Sequence, residues 1–338
     1  MSLKEIARLS GASVSTVSRV LNQPDYRCSD PILQDRIWQL ANEMHYLPNS
    51  AARQLKAGPP APTSSLVVDV FLTRFQTLDD DIFFRELFDI LREKLMQNYC
   101  HLGQILTLPD MIKRSKNLSL FPPAKESPDG LIILGKCPAE LLAFLKKQYL
   151  HLIGIDRNPT SFDYDEVFCD GSMASQLAMD YLISLGHKKI AYIGDCSYEA
   201  RYIGYHQSLM AHKIPLDYSN VYPILQTRQE GRQVMQVILE KPARPTAIFC
   251  ANDSTALGVL DALKTTRHKG YRPSVISIDN IREAENALLT TINVPKRELA
   301  HHAVMLLLDR IQGGHKEIVR IELQGKLVVR DSCSFCVE

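Results

Sequence analysis

Over the first 58 residues the apolar positions recur at helical spacing. Leu3, Ile6 and Ala7 mark one short helix, Gly11 interrupts it, and Val14, Val17 and Leu21 restart the pattern as a second. Asp30 is placed to cap a third helix, with Pro31 at its first position and Ile37, Leu40, Ala41 and Met44 as its apolar stripe. Tyr46-Leu47-Pro48-Asn49 closes that segment, the Ala-rich piece SAARQLKAG follows, and GPPAPTSS (58–65) reads as a linker.

Beyond the linker the pattern changes. Short apolar runs at Leu66–Leu72, Leu131–Leu134, Leu152–Ile155, Ile190–Ile193, Thr246–Cys250 and Val275–Ile278 predict buried strands. Amphipathic stretches lie between them, among them Ile82–Met96, Met173–Leu185, Arg228–Leu239 and Asn252–Leu263. Such alternation predicts parallel sheets with helices on both faces, and the length favours two Rossmann-like lobes over one open sheet. The predicted organisation is a head at 1–46, a hinge and linker at 47–62, and an α/β domain at 63–338. Lobe 1 is expected at about 63–158 and 293–319, and lobe 2 at about 159–290 and 322–338.

Three short helices with a tight turn after the first suit a helix-turn-helix, which presents its second helix to the major groove of DNA. Here that helix would span roughly Val14–Leu21. Val14, Ser15 and Thr16 are small enough for close approach, Thr16 and Ser18 can donate to phosphates, and Arg19 can reach guanine O6/N7. A three-helix cap with a solvated polar face has the same periodicity. Charge tilts the choice slightly: residues 1–58 hold seven basic and five acidic side chains, and the remainder holds 32 basic against 33 acidic.

The run LKEIARLSGASVSTVSRVLNQ, followed by YLPNSAARQLKAG, resembles the DNA-binding head of the LacI/GalR family of bacterial transcription regulators. The resemblance implies base-reading positions at Val14, Ser15 and Arg19, with Thr16, Ser18 and Asn22 in the same contact set. It also implies a hinge helix from Asn49, with Leu55 as an apolar wedge in the minor groove and Lys56 beside it. Two departures stand out. The loop after Asn22 is about two residues longer than in common members, and Leu33-Gln34 replaces a phosphate-contacting Thr-Arg pair.

In open α/β sheets ligands bind beyond the carboxyl ends of the strands. Asp156, Asp195, Asn252-Asp253 and Asp279 directly follow predicted strands. Each can cap the next helix or hold a ligand hydroxyl, and for Asp195 and Asp253 capping is the preferred reading. MDYLISLGHKKIAYIGD, ARYIGYHQSL, ANDSTALGVL and SVISIDN are similar to successive family blocks. That similarity implies an effector set of Asp156, Arg201, Asn252 and Asp279, with Phe83 and Phe84 lining the pocket. Ser277 stands where the family usually has glycine, with little consequence expected. DGLIILGKCPAEL and the longer head loop resemble regulators of β-galactosidase operons, so a galactoside effector is expected.

Enzyme signatures are missing: there is no GxxxxGK[ST], HExxH, GxSxG or strand-linked GxGxxG motif. His301 and His302, adjacent on a predicted helix, should point apart, and Cys333-Ser-Phe-Cys336 lacks further zinc ligands nearby in sequence. No cofactor and no metal are expected. The eight cysteines, without a signal-peptide pattern or an apolar run long enough to span a membrane, read as reduced thiols of a cytoplasmic protein. The sequence thus predicts a homodimeric repressor that binds a pseudo-palindromic double-stranded operator and responds to a sugar. A sugar-binding protein or an activator without repressor action is the alternative.

Overall fold

The structure, a computed structural model, describes residues 3–22, 26, 28, 30–44, 46, 66–73, 81–116, 128–156, 160, 164–197, 199–268 and 270–336. The hinge and linker, with Asn49, Leu55 and Lys56, lie outside the described residues, as does the side chain of Asn22.

The head contains α1 (Leu3–Ser10), α2 (Val14–Asn22) and α3 (Pro31–Glu43). Gly11 joins the first two at φ +73°, a left-handed conformation open to glycine at no steric cost. Ser13 Oγ opens α2 by accepting from Thr16 N at 3.0 Å. The Asp30 carboxylate caps α3 on the N–H groups of Ile32 and Leu33, with Pro31 in the first turn as the sequence predicts. Ile6, Val17, Leu21, Ile37 and Ala41, each 1% exposed or less, form the head's core. Gln34 acts where the family pattern has a phosphate contact: its Oε1 accepts from Cys28 N at 3.0 Å and pins the lengthened loop.

The α/β region forms two lobes. The first sheet contains β1 (Leu66–Leu72), β2 (Cys100–Thr107), β3 (Gly130–Leu134), β4 (Leu152–Asp156), β5 (Asp165–Phe168) and, much later in the chain, β11 (Arg320–Glu322). Their order is β11-β5-β4-β3-β1-β2, all parallel. The second sheet contains β6 (Ile190–Gly194), β7 (Val221–Pro223), β8 (Ala247–Cys250), β9 (Ser274–Asp279), β10 (Thr290–Asn293) and β12 (Lys326–Val328). Their order is β12-β10-β9-β8-β6-β7, with only β12 antiparallel. The chain passes between sheets after Phe168, after Asn293 and after Glu322. The change of lobe expected at 158 therefore comes later, because Asp165–Phe168 pairs with β4 and completes the first sheet.

Helices cover both sheets: α4 (Ile82–Gln97), α5 (Leu108–Lys116), α6 (Ala139–Gln148), α7 (Gly171–Ser184), α8 (Ala200–Ala211), α9 (Arg228–Leu239), α10 (Asp253–Thr265), α11 (Arg282–Asn286) and α12 (Lys296–Ile311). The α9 and α10 backbones touch through Gly231 and Gly258. A Cβ on Gly258 would stand 2.0 Å from the Arg228 carbonyl oxygen, so no other residue fits that crossing without moving a helix. The six strands named from the sequence all form, within a residue or so at each end. All eight cysteines are free thiols. Among the described residues no helix is long and apolar enough to cross a membrane.

The junction at β5 and β11 is held by buried charge. Asp165, 1% exposed, accepts from Arg310 Nη2 at 2.7 Å, from Val319 N at 2.9 Å and from His315 Nε2 at 2.9 Å, and Arg310 Nε reaches the same carboxylate. His315 Nδ1 meets Asp309 at 2.5 Å. Burial works against the charged imidazole, but the Asp165 and Asp309 carboxylates outweigh it and raise the His315 pKa above its ordinary value. A histidine whose folded pKa is raised stabilises fully below its unfolded pKa, and that contribution fades as pH rises through the folded value. The melting temperature of the parent minus that of His315→Gln should accordingly be largest near pH 5 and shrink toward about pH 8. A difference that stays constant over this range would remove the charge from the account.

Candidate functional site

In the second lobe the strand order reverses between β6 and β8, the place where such sheets bind ligands. Arg201 lies there, in the first turn of α8 and 1% exposed. Its Nε donates to Glu199 Oε1 and its Nη1 to the Ala251 carbonyl, both at 2.8 Å. Nη2 is equally buried and makes no hydrogen bond. Burial disfavours the guanidinium charge, yet Glu199 first and Asp279 after it more than compensate, so the pKa is raised and the group stays charged. A buried donor left open in this way costs free energy until an acceptor reaches it. The arrangement suits a ligand oxygen.

Asp279 ends β9 and is 2% exposed, at φ +127°, and Asn280 follows at φ +52°. Positive φ in a non-glycine residue costs on the order of 1–3 kcal/mol, so the surroundings must enforce it. Lys296, at the start of α12, supplies that restraint: its Nζ donates to the carbonyls of Asp279 and Asn280, each at 3.0 Å. The same ammonium pairs with Glu86 at 3.2 Å and lies 5.3 Å from the centre of the Phe83 ring, both on α4 of the first lobe. Glu86 also accepts from Arg282 N at 2.9 Å. Lys296 and Glu86 therefore join the lobes next to Asp279. Sequence reasoning missed both, since a lysine and a glutamate on helix surfaces give no local signal.

The other expected residues divide. Asn252 follows β8 but serves as the N-cap of α10, accepting from Thr255 N at 2.9 Å and donating to the Gln226 carbonyl at 3.0 Å. Phe83 and Phe84, 2% and 1% exposed, meet edge to face at 5.2 Å in the first turn of α4. Phe84 stands at the matching reversal of the first sheet, where a Cβ on Gly135 would come within 3.5 Å of its ring. Asp156 ends β4, and its carbonyl accepts from Cys169 N at 3.3 Å. Cys169 is near enough to Asp279 that, after burial and Asp170, this carboxylate helps push the thiol up to about 12. The structure thus brings Arg201, Asp279 and Phe83 to one seam through Lys296. Asp195 forms a turn on Ser197 N at 2.7 Å instead of capping a helix.

Asp253 differs from its expected capping role. It is fully buried and accepts from Ser277 Oγ at 2.6 Å, Thr291 Oγ1 at 2.6 Å and Ile281 N at 2.8 Å, tying β9 to β10 beneath Asp279. Burial and the Asp279 charge push its pKa up to about 7. Ser277, expected to matter little, is therefore one of its three donors. His301 and His302 also depart from expectation: their rings lie 5.2 Å apart, not pointing away from each other. Among the described residues no group of three or more His, Cys, Asp or Glu could hold a metal.

On the head, Val14 (43% exposed), Ser15 and Arg19 lie on the open face of α2, whereas Thr16 and Ser18 are half-buried. Ser13 Oγ lies 2.8 Å from both Ser15 Oγ and Thr16 Oγ1. The Arg19 guanidinium stacks 5.5 Å from the centre of the Tyr26 ring, a residue of the lengthened loop, so that loop orients it. Removing one donor from the buried Asp253 carboxylate has a size that can be measured. Ser277→Gly should destabilise the chain by about 1–3 kcal/mol in urea titration, and an unchanged midpoint would show that the Ser277 bond carries no weight.

Two family models match the chain: bacterial regulatory proteins of the lacI family over residues 2–49, and a periplasmic binding protein-like domain over 179–333. The chain is 28% identical over 345 residues to the HTH-type transcriptional repressor PurR of Vibrio atlanticus, covering 98% of each chain. It is similar to a LacI-family regulator of Enterococcus faecium solved with bound ribose (26% identity, TM-score 0.67, 80% of this chain and 100% of that one). The fold also matches the lac repressor dimer bound to operator and an anti-inducer (22% identity, TM-score 0.66, 98% of each chain). With a helix-turn-helix head ahead of two parallel-sheet lobes, and matches that run from head to second lobe, this chain belongs to the LacI/GalR family of DNA-binding transcription regulators and is not an enzyme.

Proposed function

We propose that the chain is a cytoplasmic, homodimeric repressor of a sugar-utilisation operon, and that a small sugar in the cleft controls its hold on DNA. The observation that carries this reading is the buried Arg201 Nη2, charged and without an acceptor, beside Asp279. Sugar hydroxyls both donate and accept, so one ligand can satisfy the guanidinium and the carboxylate together. Asp156, Asn252, Phe83 and Phe84 would complete the pocket, the rings against the C–H face of the sugar. The E. faecium relative solved with ribose supports the sugar class. The galactoside expectation draws no support from the relatives. Their name, a purine repressor's, makes a purine base the second reading.

Two heads related by two-fold symmetry would read a pseudo-palindromic operator, with Val14, Ser15 and Arg19 on base edges and Thr16, Ser18 and Asn22 on phosphates. Asn49, Leu55 and Lys56 would form the minor-groove hinge. Ligand closure of the cleft would act through the seam at Lys296 and Glu86 and loosen the heads, a coupling of typically about 1–3 kcal/mol.

The test is a thermal-shift panel of galactose, lactose, ribose, cellobiose, guanine and hypoxanthine, followed by operator binding with the best ligand. An operator fragment can be selected from random duplex DNA by repeated capture. In Arg201→Ala, operator affinity should stay within about threefold while ligand affinity falls about 100-fold or more and ligand-driven release disappears. Arg201→Lys, which keeps the charge near Glu199, separates loss of the ligand from loss of the fold. A variant that still binds and responds like the parent would move the effector out of this cleft.

A further inference from the structure

A second cavity lies on the far side of lobe 2, at the amino end of β6 instead of the carboxyl ends that face the seam. Its volume is about 470 Å³, within the range of small-molecule sites. Ile190, Leu209 and Pro215 give it an apolar wall, with Tyr205 beside them. Tyr205 is fixed, since its hydroxyl donates to the Ile190 carbonyl at 3.0 Å.

Two further features point to a ligand. The first is charge: Lys188, Lys189 and Lys213 line the cavity against a single carboxylate, Asp217. Asp217 accepts from Ser219 N at 2.9 Å and from Asn220 Nδ2 at 2.8 Å, and as one carboxylate against three ammonium groups it leaves the rim positive. Lys189 reaches the Ala243 carbonyl at 2.8 Å, whereas Lys188 and Lys213 form no ion pair among the described residues. The second is Asn220. It lines the same cavity, is 2% exposed, and its Oδ1 is buried without a hydrogen-bond donor. Such an acceptor is stable only when a donor reaches it. Lysines supply point charges suited to phosphate, and Asn220 calls for a hydroxyl.

We propose that this cavity binds a small phosphate ester with a hydroxyl-bearing body, independently of the effector cleft. The phosphate meets Lys188 and Lys213, a hydroxyl donates to Asn220 Oδ1, and the C–H surface of the body lies against Tyr205 and Leu209. This site does not depend on the sugar reading of the cleft.

Calorimetric titration of the full chain with ribose 5-phosphate, ribose and inorganic phosphate tests it. Ribose 5-phosphate should bind saturably, with affinity falling about tenfold or more in the Lys188→Gln/Lys213→Gln double variant and staying within about twofold in Arg201→Ala. Ribose and inorganic phosphate should each bind at least about tenfold more weakly than the ester. No saturable binding, or equal binding by the double lysine variant, would overturn the site. Loss of binding in Arg201→Ala would place the ester in the cleft instead, and phosphate binding as tightly as the ester would remove the Asn220 contact.

Discussion

One ammonium group holds the seam on which the rest of the molecule depends. Lys296 donates to the carbonyls of Asp279 and Asn280 in the second lobe, pairs with Glu86, and lies over Phe83 in the first. Each contact alone is modest. Together they fix a strand end at positive φ beside the charged, half-satisfied Arg201. A ligand that draws Asp279 toward itself must act on the same backbone that Lys296 grips, so occupancy and lobe arrangement share one set of atoms. That is what a coupled site requires: a contact that differs in energy between two states.

Beneath the seam the polar groups are paired, not merely tolerated. Asp253 takes three donors in a fully buried place, and Asp165 is surrounded by Arg310, His315 and Val319 N where β5 and β11 meet. Removing a partner from such a carboxylate strands a buried charge, which costs more than the pair contributes. Asp165 and Asp253 thus brace the chain beside its passages between lobes, and Glu86 and Lys296 make the polar contacts from lobe to lobe next to Asp279. The head follows the same economy on a smaller scale, with Gln34 holding the loop that in turn presents Tyr26 to Arg19.

Much of this was legible in the chain. The apolar runs of β1, β3, β4, β6, β8 and β9 are buried on both faces, so hydrophobicity alone announced them. The strands that escaped notice are of other kinds. β2 has exposed residues along much of its length, β10 is the largely polar Thr290–Asn293, and β5 begins with Asp165 and Glu166, both 1% exposed. Their charges are buried only because Arg310 and Arg320 arrive from far along the chain, which no local pattern can show. The same holds at the site. Arg201 and Asn252 were both named through resemblance, yet Asn252 caps α10, and Asp253, expected to cap, turns inward to Ser277, Ile281 and Thr291. Ser277 is a donor only because Asp253 lies beneath it.

In the proposed mechanism the contacts of Lys296 and Glu86 carry ligand occupancy to the head. The direct measurement is operator affinity with and without saturating ligand in Lys296→Met, alongside ligand affinity of the same variant. Ligand binding should stay within about fivefold of the parent while the ligand effect on operator affinity falls at least about tenfold, some 1.4 kcal/mol of lost coupling. An undiminished ligand effect in that variant would contradict it, and would mean that the lobes communicate by a route that does not pass through this contact.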